Sequence, residues 1–316
     1  MKREAIVKLY RLGTTGIALL FMIFVIWMLV LAGLTDKVQR IPVLVYHNFS
    51  RENICDRNRD LTSGASFAGE MEYLHDNGYH VIPLKILINH MQYGESLPEK
   101  AIVITFDDGY EGDYTVAYPI LKKYNIPVTI FLIANKDQYF GPEAPPMLSW
   151  DEMREMEGSG LVDIQAHTFD LHYKAYTGRD RIRREPAAVA RAYLPDLQRR
   201  ETEEEFAGKL YNDFLQARTT IEKNLNKQVD TLAWPFGAYN QTSLRIARQA
   251  GFKYFATMKR GMNERGDSVQ VIRRISEDDN IRLEQFAKFV EPDYSYIRQL
   301  RQVTFRYLNR LAEFFN

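Results

Sequence analysis

The chain has 316 residues, 41 lysines and arginines against 41 aspartates and glutamates, and one cysteine, Cys55. Zero formal charge provides no field to draw the protein onto nucleic acid, and a lone cysteine excludes an intramolecular disulfide framework and a thiolate metal cluster. Any metal must take His and carboxylate. The length accommodates one catalytic domain of about 250 residues, the size of a single α/β barrel.

Residues 13–35 carry no charge. At about 1.5 Å of rise per residue this run reaches across the ~30 Å hydrocarbon layer of a bilayer. It is long for the apolar part of a cleaved signal peptide, and Leu31-Ala32-Gly33-Leu34 is a poor cleavage site. A single retained N-terminal transmembrane helix is therefore expected. Lys2, Arg3, Lys8 and Arg11 precede the run against Glu4 alone, which places residues 1–12 in the cytoplasm and residues 36–316 outside the cell membrane.

Beyond the anchor, strand-like and helix-like segments alternate, the order of an α/β fold with parallel strands. Residues 42–47 read as a strand, 67–76 as a helix stopped by Asn77-Gly78, and 79–82 as extended. Residues 101–106 are apolar and β-branched, the pattern of a strand buried on both faces. A helix over 115–124 and a buried strand over 127–133 follow. Ser149 is suited to cap a helix running to Glu157, and residues 161–166 form the next strand. Residues 173–205 interrupt the rhythm with many Arg and Glu residues, an excursion long enough to be functional or mobile. A long amphipathic helix over 206–225, a strand over 231–234 broken by Pro235, and strands near Tyr254 and Val271 complete about seven strands. The domain is expected over residues 36–290. Residues 291–316 form a tail with apolar residues near helical spacing, expected to pack on the domain, with contact to anionic lipid as the alternative.

The chemistry gathers at two places. Asp107 and Asp108 end the buried strand and are followed by Gly109, and His167 and His172 stand five apart after a later strand. In parallel sheets the C-terminal strand ends are where ligands and chemistry collect. Adjacent carboxylates fed by a buried strand need a cation or a proton to relieve them. Two imidazoles and one carboxylate leave coordination positions open, as in a catalytic zinc site, while a second carboxylate is left to take a proton from water. The expected reaction is metal-assisted hydrolysis of an amide or ester. The bland alternative is two loop histidines with ordinary hydrogen bonds.

Thr105-Phe106-Asp107-Asp108-Gly109-Tyr110 resembles the first motif of the polysaccharide deacetylases of carbohydrate esterase family 4, which share the nodulation-protein-B homology domain. His167-Thr168-Phe169-Asp170-Leu171-His172 resembles the variant with one extra residue found in deacetylases of biofilm poly-β-1,6-N-acetylglucosamine, and Trp234-Pro235-Phe236-Gly237 resembles their third motif. The resemblance runs from about residue 42 to about 275 and implies a distorted (β/α)7 barrel. It implies that Asp107 is the general base, that Asp108, His167 and His172 bind the metal, and that the backbone N–H of Tyr110 helps hold the oxyanion. An arginine that steadies the base in many relatives is replaced by Trp234, which leaves open how Asp107 is oriented. No histidine follows His172, so the late general acid of most relatives is absent. His47, on the first strand, is the substitute implied by the permuted arrangement of the biofilm-type enzymes. Trp234, Pro235, Phe236 and Tyr239 could wall a sugar pocket or simply be core.

The resemblance thus implies a metal-dependent N-deacetylase acting on N-acetylglucosamine units of a cell-surface polysaccharide. Zinc is the first expectation for the metal, with cobalt, nickel or iron suited to the same ligands. The partners expected are the acetylated glucosamine polymer and the membrane. Alternatives are a peptidoglycan or chitin-oligomer deacetylase, an O-acetyl esterase, or a glycan-binding protein without turnover.

Overall fold

The computed structural model describes residues 20–27, 39–51, 61–135, 144–276 and 283–291. The chain divides into two units, one of residues 1–39 with 293–316 and one of residues 40–292. In the first unit, residues 20–27 are helical with exposed apolar side chains. No helix among the described residues is long and apolar enough to cross a membrane. The rest of the expected anchor and tail residues 292–316 lie outside the described residues.

The second unit begins with β1 (Val43–Tyr46), the short strands β2 (Asn48–Ser50) and β3 (Leu61–Ser63), and helix α1 (Gly64–Asp76), capped by the Ser63 side chain. Then come β4 (His80–Val81), α2 (Leu84–Tyr93) and β5 (Ala101–Asp108), which is buried along its whole length. A π-turn at Asp113–Ala117 leads into α3 (Tyr118–Tyr124), then β6 (Val128–Leu132), α4 (Trp150–Gly158) and β7 (Val162–Ala166). Two short hairpins follow, β8 (Lys174–Tyr176) with β9 (Arg184–Pro186), and β10 (Tyr193–Leu194) with β11 (Arg199–Arg200). The chain continues through α5 (Glu203–Leu225), β12 (Thr231–Ala233), α6 (Gln241–Gln249), β13 (Tyr254–Ala256), β14 (Ile275–Ser276) and α7 (Leu283–Val290).

The main sheet runs β13-β12-β7-β6-β5-β1-β14, with β4 on the side of β5, and every pairing in it is parallel. This parallel half-barrel agrees with the expected α/β class and is consistent with a (β/α)7 barrel. A parallel bridge between Ala256 and Ile272 stands three residues before β14, so residues 272–276 reach from the β13 end of the sheet to its β1 end. Sheet residues such as Ile104, Ile130 and Ile164 share one apolar core with Phe67 of α1, Met153 of α4 and Phe214 of α5.

Local sequence explains most of the helix ends. Ser149 and Glu152 form a reciprocal capping box at α4, and Thr202 and Glu205 do the same at α5. Three glutamates in the first turn of α5 complement the helix dipole. Two expectations need correction, and two stretches without an expected element acquire one. The helix expected from residue 115 is a π-turn before it becomes α-helical at Tyr118. The last strand lies at Ile275–Ser276 rather than near Val271, because Asn263 holds the preceding stretch, accepting from the Arg273 N–H and donating to the Arg273 carbonyl. Residues 84–93, given no element in the sequence, are a helix closed by left-handed Gly94. The excursion over 173–205 is largely two hairpins.

Candidate active site

The register of the sheet brings the expected residues together. Asp108 pairs with Leu132 of β6, and Leu132 pairs with Ala166 of β7, so Asp108 and His167 stand nearly level across one strand. On the other flank Tyr46 pairs with Phe106, which sets His47 beside Asp107, near enough that its charge acts on that carboxyl. Tyr110 follows in the loop and bridges to Met147.

Three non-glycine residues at these strand ends have left-handed backbone: Asp108 (φ 73°), Thr168 (φ 71°) and Phe236 (φ 58°). Each such residue costs of order 1 kcal/mol or more and persists only where surrounding structure enforces it. Gly109 is left-handed too, and there a Cβ would come within 2.6 Å of the Leu132 side chain.

His167 is fully buried, and its Nδ1 lies 3.0 Å from the carbonyl oxygen of Ala233. That oxygen can only accept, so Nδ1 carries the proton and Nε2 presents a lone pair. Burial pushes the imidazole down to about 4, against the pull of Asp107 and Asp108, which keeps it neutral at ordinary pH. Its Nε2 is 3.5 Å from Asp108 Oδ1, and His172 Nε2 is 3.3 Å from the same oxygen. One ligand atom from each of the three residues lies within 4.8 Å of the others. Asp108 Oδ1 is buried without a hydrogen-bond partner. Two atoms that only accept, His167 Nε2 and Asp108 Oδ1, thus face each other with no proton between them. That electrostatic conflict fits a divalent cation, and the donor set suits one.

Asp107 is held differently. Arg274, also fully buried, donates from Nη1 to Oδ1 at 2.6 Å and from Nη2 to Oδ2 at 2.8 Å. The guanidinium is itself fixed: Nε donates to the Thr257 carbonyl at 3.2 Å, and its carbon stands 5.2 Å from the Phe131 ring centroid. Burial alone would push the Asp107 carboxyl up, but Arg274, with His167 and His47, outweighs it and holds the group at about 2. The arginine absent from position 234 is therefore replaced by one arriving just before β14. Sequence reasoning missed it; the available signal was the pair Arg273-Arg274 standing between apolar Ile272 and Ile275 in a strand-like stretch.

Trp234 and Pro235 are buried, and Trp234 stacks between Tyr239 and Phe255 at centroid distances of 5.6 and 5.5 Å. These two expected wall residues are core beneath the site, because the chain turns outward only at Phe236. Phe236 is 45% exposed, its ring centroid 4.7 Å from that of His172, with Lys174 Nζ 5.2 Å from its centroid. Tyr239 is half-buried. Away from the site, His75 and His80 are exposed, and His90, in the last turn of α2, is buried with Nδ1 2.5 Å from the Glu95 carbonyl.

Residues 94–255 match the family model for polysaccharide deacetylase. The poly-β-1,6-N-acetyl-D-glucosamine N-deacetylase of Escherichia coli (strain K12) is 26% identical over 282 residues, covering 82% of this chain and 42% of that protein, so the chain spans less than half of that relative's length. Among solved structures, a de-N-acetylase from Aggregatibacter actinomycetemcomitans aligns with a TM-score of 0.72 at 28% identity, covering 79% of this chain and 100% of that one. IcaB from Ammonifex degensii aligns with a TM-score of 0.64 at 26% identity, covering 79% and 97%. With the family model matching half of its length, the chain belongs to the polysaccharide deacetylase family.

Proposed function

We propose that this protein removes N-acetyl groups from N-acetylglucosamine residues of a cell-surface polysaccharide, with poly-β-1,6-N-acetylglucosamine as the favoured polymer. The observation that carries this reading is the contrast between two adjacent acids. Asp108 faces two imidazoles with an unsatisfied oxygen, while Asp107 is clamped by Arg274. The names of the E. coli relative and of the similar de-N-acetylase structure support the same chemistry.

In this reading Asp108, His167 and His172 hold a divalent cation, zinc first and cobalt, nickel or iron next. When bound, the cation supplies Lewis acidity that polarises the acetyl carbonyl and eases deprotonation of water. Asp107, ionised and fixed in plane by Arg274, takes the proton of the attacking water. The backbone N–H of Tyr110 helps hold the negative oxygen of the tetrahedral intermediate. His47, on the opposite flank, gives its proton to the leaving nitrogen, the carbon–nitrogen bond breaks, and acetate and a free amine separate. Phe236 and Tyr239 form the apolar side of the sugar site, supported from beneath by Trp234 and Pro235. A groove of about 510 Å³ lined by Asn48, Phe49, Glu111, Gly112 and Thr115 flanks His47 and Tyr110, and it gives a polymer room to continue past the reacting unit. The uncharged run over residues 13–35 supports a single-pass anchor with the catalytic unit outside the cell.

The test is acetate release by the purified full chain from poly-β-1,6-N-acetylglucosamine, peptidoglycan and chitin oligomers, with and without chelator. Chelator-sensitive release, greatest from the first polymer, is expected. Release from peptidoglycan or chitin alone would reassign the substrate, and binding without release from any would make the protein a glycan-binding relative.

A further inference from the structure

The loop that carries His172 is short, strained and held by an acid from a different part of the chain. Thr168, directly after His167, is a β-branched residue with φ 71°, a conformation such side chains rarely adopt. Its hydroxyl is buried without a partner and does not offset this cost. Four backbone hydrogen bonds surround the strained point. The Ala134 and Asn135 N–H groups donate to the carbonyls of Thr168 and Phe169, each at 3.0 Å. The N–H groups of Phe169 and Asp170 donate to the two carboxylate oxygens of Asp213, at 3.0 and 2.7 Å.

Asp213 sits midway along α5, 8% exposed, beside the core residues Leu210 and Phe214. Aspartate is a poor helix former and costly to bury, so its presence there calls for a return on both counts. One carboxylate bonded to two consecutive amides fixes both peptide planes midway between His167 and His172.

We infer that Asp213 is a positioning residue for the metal ligands, setting the loop so that the His172 imidazole meets Asp108 and His167. This rests on the reading that those three residues hold a cation. Because α5 follows the hairpins over residues 174–200, the inference also gives the excursion a structural consequence: it delivers the helix that braces the ligand loop.

The test is zinc affinity of the purified metal-free full chain, measured by competition with a chromogenic chelator, for wild type, Asp213→Asn and Phe214→Leu. The asparagine variant keeps the volume but replaces one acceptor oxygen with an NH2 donor facing an N–H. Partners behind metal ligands typically contribute a factor of roughly 10 to 100 in affinity, so zinc binding by Asp213→Asn is expected to weaken by that factor. Its acetate release should fall at limiting zinc and recover at saturating zinc. Phe214→Leu, which loosens the same helix but keeps the Asp213 carboxylate and its two amide hydrogen bonds, is expected to lower thermal stability and leave zinc affinity unchanged. Should Asp213→Asn fail to fold, Asp213→Glu, which keeps both acceptors on a longer arm, provides the reading and is expected to weaken zinc binding as well. A folded variant at position 213 that binds zinc within twofold of wild type would overturn the inference. Absence of zinc binding by wild type would instead overturn the metal-site reading beneath it.

Discussion

The two ends of one parallel sheet are built on opposite rules. At the N-terminal ends of its strands the polar groups are paired: the N–H groups of Asp230 and Thr231 donate to the Gln165 side chain, Asp163 accepts from Gln165 and meets Lys227, Lys227 also meets Glu157, and Lys85 reaches Asp230. At the C-terminal ends, Asp108 Oδ1, Thr168 Oγ1 and both carboxylate oxygens of Asp113 are buried without hydrogen-bond partners. Satisfied polar groups stabilise a fold, whereas unsatisfied ones collect where a ligand is to be met. The difference sets the end whose polar groups pair with one another apart from the end where the candidate site lies.

Substitutions at the two ends sharpen or break that contrast. The largest effect is expected at Arg274, the fully paired group at the end that carries the unsatisfied ones. Arg274→Met leaves Asp107 buried and uncompensated, which should cost about 3–5 kcal/mol in denaturant unfolding and, through the misplaced base, at least roughly a hundredfold in turnover. A linked effect appears in acid. The folded Asp107 carboxyl lies at about 2, below its ordinary 3.8, so its contribution is present above about pH 4 and is lost as pH falls toward 2. Metal-free wild type should therefore lose about 2 kcal/mol of stability across that window, and Arg274→Met should lack this acid limb. Next in size, Phe236→Ala removes the exposed ring beside His172 and should raise KM by roughly 3- to 10-fold with little change in kcat or melting temperature. Smallest is Lys85→Met at the paired end. Its ion pair with Asp230 is half exposed, so the expected loss is under about 1 kcal/mol with acetate release unchanged. A large activity loss there would erase the contrast.

The parts of this arrangement written in short stretches of sequence were legible. An apolar β-branched run ending in Asp107-Asp108-Gly109 marked the buried strand that presents the two carboxylates, and His167 and His172, five apart after a later strand, marked the loop that faces them. Ser149 marked a helix start because capping is a matter of four residues. Arg274 was not legible as the partner of Asp107, since 167 positions separate them and only the return of the chain to β1 brings them together. Asp213 was hidden for the same reason: in a helix pattern it reads as one more polar position, and only packing of α5 against the ligand loop gives it two amides to hold. For Trp234 the choice between wall and core stayed open in the sequence, which does not show that the chain turns outward only two residues later.

The most direct test of the division between the two acids is metal content and turnover of Asp107→Asn and His167→Ala, measured side by side. The account predicts that Asp107→Asn retains about one equivalent of metal while acetate release falls by roughly a thousandfold or more, and that His167→Ala loses both. An Asp107→Asn protein that stays active, or that loses its metal along with its activity, would contradict it.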